Sequence, residues 1–365
     1  MKPIAIYITA HGYGHGTRSC DVLRALHRIA LEQQVIVTTD LPRDFLESRL
    51  KDCGNITFRP GAFDIGLVQK DSIRADLFQT LEKLEELNAS WDKLITQERL
   101  FIQHENIGLV VADIPAIPLA AAQRSGIPNI AVGNFSWDWI YEDYAKTDLH
   151  WEYFVEKFRA IYNQTDLLLR LPFAPPMEQF PKRKDVPLLA VPGTFCREKI
   201  AHISDTDIST NKLWVLLSFT SLDLDFLALE NIRKLSGDYE FFCVAPLEYP
   251  GSCIHSINRS KVSFANILAS CDIVISKPGF GLVSECIVNN KPLIYSDRGE
   301  FAEYPYLVEG IEKYLKNVYL PSETLYTGDF FQALEKIKTA PEPTGFIRRT
   351  GAEMIAEELI ASVQT

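Results

Sequence analysis

Two glycine-bearing turns hold most of the side chains in this sequence that could carry chemistry. The first turn, TAHGYGHGTR over residues 9–18, contains His11 and His15. A histidine at the end of a strand can accept a proton near neutral pH, and neighbouring glycines let the backbone approach a ligand closely. The turn therefore predicts a site for proton transfer and ligand binding. Its alternative is a tight connection in which a histidine only caps the following helix.

The second turn, ISKPGFGLVSE over residues 275–285, combines a cation, two glycines and a carboxylate. Lys277 stands near its start, and Glu285 lies about one turn into the helix predicted to follow. A phosphate at the helix N-terminus and a ribose held by the carboxylate give a consistent picture of a ligand. The alternative is an ordinary turn whose acidic residue is favoured by the helix dipole.

Each turn must lie between a strand and a helix, and the chain alternates such elements throughout. Short apolar runs predict strands at Ile4–Thr9, Val35–Thr39, Ile56–Arg59, Gly108–Val111, Asn129–Val132, Leu167–Leu171, Leu188–Val191, Leu213–Ser218, Glu240–Val244, Ile273–Ser276 and Pro292–Tyr295. Helical spacing predicts helices at Thr17–Leu31, Leu77–His104, Ile117–Ser125, Asp223–Leu235 and Leu282–Asn289. The alternation is typical of parallel sheets, whose ligands bind at the carboxyl ends of the strands. Asp113 follows one such run and is expected to point into the ligand crevice or to cap the next helix.

A proline-rich connection divides the chain of 365 residues, which is longer than one hydrophobic core usually supports. Six prolines fall within residues 171–192. We therefore expect a Rossmann-like domain over 1–195, a second over 196–345, and a C-terminal helix over 346–365. This helix either belongs to the second domain or packs back on the N-terminal domain.

Composition excludes several classes of protein. A net charge of −11 and a pI near 5.2 argue against broad binding of nucleic acid or anionic lipid. The seven scattered cysteines contain no C-x-x-C pair and indicate the reduced thiols of a cytoplasmic protein. No apolar run is long enough for a transmembrane segment, while peripheral membrane contact stays open. A spacing of four between His11 and His15 has no fixed geometry on a loop, so no metal site is expected.

At these residues the chain resembles the GT-B glycosyltransferases. Gly14-His15 is similar to the Gly-His pair of plant UDP-glycosyltransferases and MurG-type enzymes, in which the histidine lies on the acceptor side and, in the plant enzymes, is the general base. Lys277 and Glu285 have the spacing of the plant signature, and Pro292 follows seven residues later as in that family. The resemblance implies two Rossmann-like domains facing across a cleft, with Asp113 orienting His15.

A second resemblance is to the glycosyltransferase-like N-terminal domain of plant arabinokinases. It is carried by the run Asn134–Asp138, by Asp64-x-Gly66-x-x-Gln69-x-Asp71 and by Phe301-x-Glu303-x-Pro305. The donor-sugar Asp-Gln of the plant signature is absent, and Asp297–Glu303 stands near its place. The sequence therefore does not identify the sugar.

Together these features predict a glycosyltransferase that moves a sugar from a nucleotide-diphosphate donor, UDP-linked, to a hydroxyl of a small molecule, glycan or lipid-linked acceptor. It is expected to be inverting and to need neither a metal nor another cofactor. No Asp-x-Asp pair of the kind that chelates a diphosphate-bound metal lies on a suitable loop, because Asp223-Leu-Asp225 has this pattern but starts a predicted helix. The predicted catalytic residues are His15, as the base, and Asp113. The predicted donor-binding residues are Ser218, Thr220, Ser221, Lys277, Gly279, Phe280, Gly281, Glu285, Glu300 and Glu303. The predicted acceptor-binding residues are His11, Gly12, Tyr13, Gly14, Arg18, Gln69, Asp71 and Trp137.

Two alternatives stay open. One is a module that binds a nucleotide sugar without turnover. The other is a nucleotide-sugar epimerase on the same fold, for which Glu300 and Glu303 are the available acids.

Overall fold

In the computed structural model, which describes residues 1–70, 74–299 and 301–363, the N-terminal unit is built on seven strands. They are β1 (Ile4–Ile8), β2 (Val35–Thr38), β3 (Ile56–Arg59), β4 (Leu109–Asp113), β5 (Asn129–Gly133), β6 (Leu167–Arg170) and β7 (Arg183–Asp185). They form one parallel sheet in the order β3-β2-β1-β4-β5-β6-β7. The strand order reverses between β1 and β4, so these two strands flank the topological switch point of the sheet.

The register of β1 and β4 positions the first turn. Ile8, the last residue of β1, lies opposite Asp113, the last residue of β4. Both strands are buried along their whole length, as is typical of a parallel sheet covered on both faces. The first residues after β1 therefore lie beside Asp113.

Seven helices pack on this sheet in the described part of the unit. They are α1 (Tyr13–Ile29), α2 (Arg43–Leu50), α3 (Leu77–His104), α4 (Ala116–Ser125), α5 (Trp137–Ala145), α6 (His150–Tyr162) and, from the C-terminal end of the chain, α14 (Gly351–Val363). α14 packs against α1 and β4, and Ile355, Ala356 and Leu359 on it are buried.

The second unit repeats the design with six strands. They are β8 (Leu213–Ser218), β9 (Tyr239–Val244), β10 (Ile254–Ile257), β11 (Ile273–Ser276), β12 (Leu293–Tyr295) and β13 (Asn317–Tyr319). All pairs are parallel in the order β10-β9-β8-β11-β12-β13, and the switch point lies between β8 and β11. The helices are α7 (Arg197–Ser204), α8 (Phe226–Arg233), α9 (Phe264–Ser270), α10 (Phe280–Asn289), α11 (Tyr304–Tyr314), α12 (Ser322–Tyr326) and α13 (Phe331–Thr339).

The two units are compact by their internal contacts. The first comprises Met1–Val68, Asp76–Ala190 and the chain from Arg348 onward, and the second comprises Val191–Ile347 together with the described residues of the segment 69–75. The predicted fold class, two Rossmann-like α/β domains with parallel sheets, is confirmed.

One predicted strand is absent, and two elements that the sequence did not predict are present. The apolar run Leu188–Val191 is not a strand, because Leu188 bonds instead to the segment that leads into α14, donating to the Arg348 carbonyl at 2.8 Å. The strand next to β6 is the polar, exposed β7, which carries no apolar signal. Trp137 begins the helix α5, which the sequence did not predict.

Candidate functional site

The first turn is shorter than predicted, because α1 starts at Tyr13 and not at Thr17. Gly12 caps the helix in an extended conformation, without a side-chain hydrogen bond, and Gly14 and His15 lie in the first helical turn. A Cβ added at Gly12 or Gly14 would meet no atom within 4 Å, so the backbone here is open to a ligand. His15 is thus fixed by helix geometry, whereas His11 precedes the helix.

His15 and Asp113 meet at the switch point of the first sheet. The Nδ1 atom of His15 lies 3.0 Å from Oδ1 of Asp113, although the two residues are 98 positions apart. Burial, and then the charge of Arg18, lower the pKa of His15 below its ordinary value, against the opposing effect of Asp113. The imidazole is therefore neutral at pH 7.

Arg18, one turn further along α1, binds the same carboxylate with both arms of its guanidinium. Its Nε donates to Oδ2 of Asp113 at 2.9 Å, its Nη2 donates to Oδ1, and its Nη1 donates to Asn134 Oδ1 at 3.0 Å. Burial raises the pKa of Asp113, but the charge of Arg18 and then that of His15 outweigh burial and hold this pKa well below its ordinary value. Arg18 was expected to contact an acceptor. Its side chain is buried against Asp113 and Asn134, so we assign it a positioning role.

A second imidazole–carboxylate pair lies next to the first. The Nε2 atom of His11 is 2.9 Å from Oδ1 of Asp64, which is buried. The same carboxylate accepts hydrogen bonds from Thr9 Oγ1 at 2.9 Å and from Trp137 Nε1 at 3.0 Å. Gly66 has φ of +60° and packs on the imidazole of His11, since an added Cβ would lie 2.4 Å from His11 Cγ. The segment Asp64-x-Gly66 thus supports His11.

Aromatic rings pack against the imidazoles of both pairs. His15 meets Phe135 edge-on at 5.9 Å between ring centroids, and His11 meets Trp137 in the same way at 5.7 Å. Trp137 is only 4% exposed and stacks on Tyr141, so it offers no free face to a sugar. Its structural contribution is the hydrogen bond to Asp64.

The remaining predicted acceptor residues are more exposed. Tyr13 is 41% exposed and contacts the ring of Phe45 edge-on. Gln69 is exposed and forms an isolated antiparallel bridge with Ala75. Asp71 lies outside the described residues.

The second turn lies at the switch point of the second sheet. Lys277 follows β11, Gly279 is the N-cap of α10 without a side-chain hydrogen bond, and Phe280 and Gly281 form the first helical turn. The first amides of any helix have no acceptor within the helix, so the start of α10 is a location suited to an anion. Glu285 is the sixth residue of α10 and is buried, so it lies deeper than the single turn predicted.

The end of β8 lies beside the end of β11. Ser218 is opposite Ser276 in the sheet, and Ser276 Oγ donates to the Ser218 carbonyl at 2.5 Å. Thr220 and Ser221 are exposed on the loop that follows β8. Ser221 also lines a cavity of about 260 Å³ together with Arg74, Asp223 and Tyr326.

The loop after β12 brings an arginine that sequence reasoning did not include. Arg298 donates from Nη1 to the Pro278 carbonyl at 2.9 Å and stacks on the ring of Phe301 at 3.5 Å. Glu303 is buried at the start of α11, and Glu300 lies outside the described residues. The only signal for this loop in the sequence was its position after Pro292.

The described residues offer neither a metal site nor a membrane-spanning helix. Among residues 1–70, 74–299 and 301–363, no group of three or more His, Cys, Asp or Glu side chains is arranged to hold a metal ion. Within the same part of the chain, no helix has the length and apolar character needed to cross a membrane.

Comparison with known proteins agrees with this architecture. No family model matches the chain. Over 339 residues it is 28% identical to L-arabinokinase of Arabidopsis thaliana, a match that covers 91% of this chain and 32% of that protein. The chain thus spans about a third of the length of the curated relative it matches.

The similar solved structures are GT-B glycosyltransferases. The glycotransferase of kitacinnamycin superimposes with a TM-score of 0.64 at 13% identity and covers 100% of this chain and 96% of its own. UGT89C1 of Arabidopsis thaliana, solved with UDP, superimposes with a TM-score of 0.60 at 13% identity and full coverage of both chains, each 100%. At such identities the likeness shows the fold. The chain therefore has the two Rossmann-like units of the GT-B fold and is similar in sequence to about a third of L-arabinokinase.

Proposed function

We propose that this protein is an inverting, metal-independent glycosyltransferase that uses a nucleotide-diphosphate sugar. The observation that carries the proposal is the imidazole–carboxylate pairing at the start of α1, where His15 lies 3.0 Å from Asp113 at the switch point of the sheet. A module that only binds a nucleotide sugar has no need of a buried proton-accepting group in the other unit. Inverting sugar transfer is accelerated by such a group, because it takes the proton of the acceptor hydroxyl.

The donor side of the proposal rests on the second unit. Lys277 and the first amides of α10 would hold the diphosphate, and Glu285 would bind the ribose hydroxyls. UGT89C1, which shares the fold, has been solved with UDP and with UDP-L-rhamnose, and this supports a UDP-linked donor. Ser218, Thr220 and Ser221 are proposed to contact the same ligand.

The chemical step needs no metal ion. An imidazole at the start of α1 takes the proton of the acceptor hydroxyl, and the oxygen forms a bond to the anomeric carbon on the face opposite the leaving group. The bond from that carbon to the diphosphate breaks, and the nucleoside diphosphate leaves with the electron pair. Lys277 and the N-terminus of α10 would stabilise the leaving charge. By resemblance to the plant enzymes the imidazole is that of His15.

We also propose a cytoplasmic location. It is supported by the seven scattered cysteines, which contain no C-x-x-C pair and are typical of reduced thiols.

A coupled assay tests the proposal. The full chain is incubated with UDP-sugars and a panel of hydroxyl acceptors, and UDP release and product mass are followed together. We expect UDP release that depends on acceptor, a product with inverted anomeric configuration, and loss of both when His11 and His15 are replaced together by glutamine. His104→Gln is the control, because His104 is exposed and paired with Glu105. Tight UDP-sugar binding without transfer or hydrolysis would instead identify a non-catalytic binding module.

A further inference from the structure

The loops that follow β11 and β12 are joined at two points. The backbone N–H of Ser296, directly after β12, donates to the Ser276 carbonyl at 3.0 Å. Two residues further on, Nη1 of Arg298 donates to the Pro278 carbonyl at 2.9 Å. Pro278 precedes Gly279, the N-cap of α10, so these two bonds hold the loop after β12 against the start of that helix.

The guanidinium of Arg298 is held beside the N-terminus of α10. Its Cζ atom lies 3.5 Å from the centroid of the Phe301 ring, and its Nη1 atom lies 3.8 Å from the position that a Cβ would take on Gly279. The ring contact and the bond to the Pro278 carbonyl restrict a long side chain, so it loses less conformational freedom when it binds an anion. The cation is therefore positioned in advance of a ligand.

The carboxylate next to Arg298 in the chain is held by other elements. Oδ1 of Asp297 accepts from the Tyr319 hydroxyl at 2.5 Å, and Oδ2 accepts from the backbone N–H of Ser322 at 2.8 Å. Ser322 is the first residue of α12, so Asp297 satisfies one of the first amides of that helix. Of these two adjacent charges, it is the guanidinium that lies at the start of α10.

A guanidinium beside a helix N-terminus suits a diphosphate. It has five donors in one plane, so it can donate to the Pro278 carbonyl and to phosphate oxygens at the same time. The charge of Lys277 and the first amides of α10 belong to the same turn. Since the chain has a net charge of −11, an anionic donor has to be held by local positive groups of this kind.

We propose that Arg298 binds the diphosphate of the nucleotide-sugar donor and stabilises the charge of the leaving group. In the transfer step the bond between the anomeric carbon and the diphosphate oxygen breaks, and the electron pair stays on that oxygen. Arg298 donates hydrogen bonds to the diphosphate, whose negative charge increases in this step, so its contact becomes stronger as the bond breaks. This inference rests on the proposed function and adds a residue to its donor site.

Titration of UDP into the full chain tests the contact. Arg298→Gln should weaken UDP binding by about 10-fold to 100-fold, because a charge-assisted hydrogen bond is lost. Arg298→Lys keeps the charge without the planar fork, so its affinity should fall between those of wild type and Arg298→Gln. Arg233→Gln is the control and should bind as wild type does, because Arg233 is exposed on α8 and pairs with Glu230.

The glutamine and lysine variants separate binding of the donor from a purely structural role. Glutamine can still donate to the Pro278 carbonyl, so it can keep the two loops joined, but it has no charge. If Arg298 only joins the loops, Arg298→Gln will bind UDP as tightly as Arg298→Lys, and that result would overturn the inference. Should Arg298→Gln fail to fold, Phe301→Leu removes the ring against the guanidinium and should weaken UDP binding by about 2-fold to 5-fold. Unchanged binding in Phe301→Leu would then contradict the inference.

Two donors identify the anion that Arg298 binds. UDP-glucuronate has a carboxylate on its sugar and UDP-glucose does not, whereas both contain the diphosphate. Arg298→Gln should weaken the binding of both by the same factor, and a loss confined to UDP-glucuronate would assign Arg298 to a sugar carboxylate and overturn the inference. If wild type binds no uridine nucleotide, the proposed function fails and this inference with it. Normal UDP binding in a folded Arg298→Gln variant refutes only the role of Arg298.

Discussion

Replacing Asp113 with asparagine should unfold the N-terminal unit at a much lower denaturant concentration, because the substitution removes the carboxylate charge that pairs with the buried guanidinium of Arg18. The side chains of Arg18 and Asp113 are 5% and 4% exposed, and the guanidinium donates to both carboxylate oxygens. Asparagine has nearly the same shape but turns an NH2 group toward those donors. The Asn134 amide oxygen, at 3.0 Å from Nη1, carries no charge that could replace the carboxylate.

The size of the effect follows from that burial. Removing one partner of a buried ion pair costs about 3 to 5 kcal/mol, which is a large part of a typical stability of about 5 to 15 kcal/mol. At about 2 to 4 °C per kcal/mol for a unit of this size, the melting temperature should fall by about 6 to 20 °C. Tryptophan fluorescence in urea reports mainly on this unit, because Trp91, Trp137, Trp139 and Trp151 lie in it and Trp214 alone lies in the second.

Two comparisons make the test sharper. Arg18→Met combined with Asp113→Asn removes both charges, so the double variant should be more stable than Asp113→Asn alone. The folded pKa of Asp113 is lowered, so its contribution is present above the unfolded value of about 3.9 and is lost as pH falls below it. The difference in unfolding free energy between wild type and Asp113→Asn should therefore become smaller below about pH 4. A loss under about 1 kcal/mol at pH 7 would refute the reasoning.

Three further predictions concern packing and metal dependence. Gly16→Ala should destabilise the unit by about 1 to 3 kcal/mol in urea unfolding, because a Cβ there would lie 2.6 Å from Leu41 Cδ1. Gly14→Ala, with no atom within 4 Å of the added Cβ, should leave stability unchanged or raise it slightly, and equal losses in both would contradict the packing argument. Leu359→Ala on α14 should cost about 2 to 5 kcal/mol by thermal unfolding, since Leu359 is fully buried, whereas Glu357→Ala on its exposed face should cost almost nothing. EDTA should leave UDP release at its full rate, and loss restored by manganese would show a metal-dependent step.

The sequence identified the strands that lead into the two candidate sites, because buried parallel strands are continuous apolar runs and glycines mark the turns after them. The bounds of α3 were predicted to the residue, and Leu213–Ser218 and Ile273–Ser276 are strands as predicted. The start of α1 was missed by four residues because Gly12 caps it without any side-chain signal. A helix start without a side-chain cap can be recognised only from the backbone conformation.

The partners within the site could not be read from the chain. Arg18 reaches Asp113 across 95 positions, and the pairing depends on the register that sets Ile8 opposite Asp113. Asp64 lies 53 positions from His11 in an irregular segment that no periodicity predicts. Long-range polar contacts follow from strand order, so residue type and local spacing leave them open.

Calorimetric titration of a UDP-sugar into the full chain tests the central claim most directly. Wild type should bind, and Glu285→Gln should weaken binding by about 10-fold to 100-fold, the usual cost of losing a hydrogen bond to a charged group. Glu309→Gln, on the exposed face of α11, should bind as wild type does. Absence of binding for every nucleotide sugar, or unchanged affinity in a folded Glu285→Gln variant, would contradict a nucleotide-sugar donor site at the start of α10.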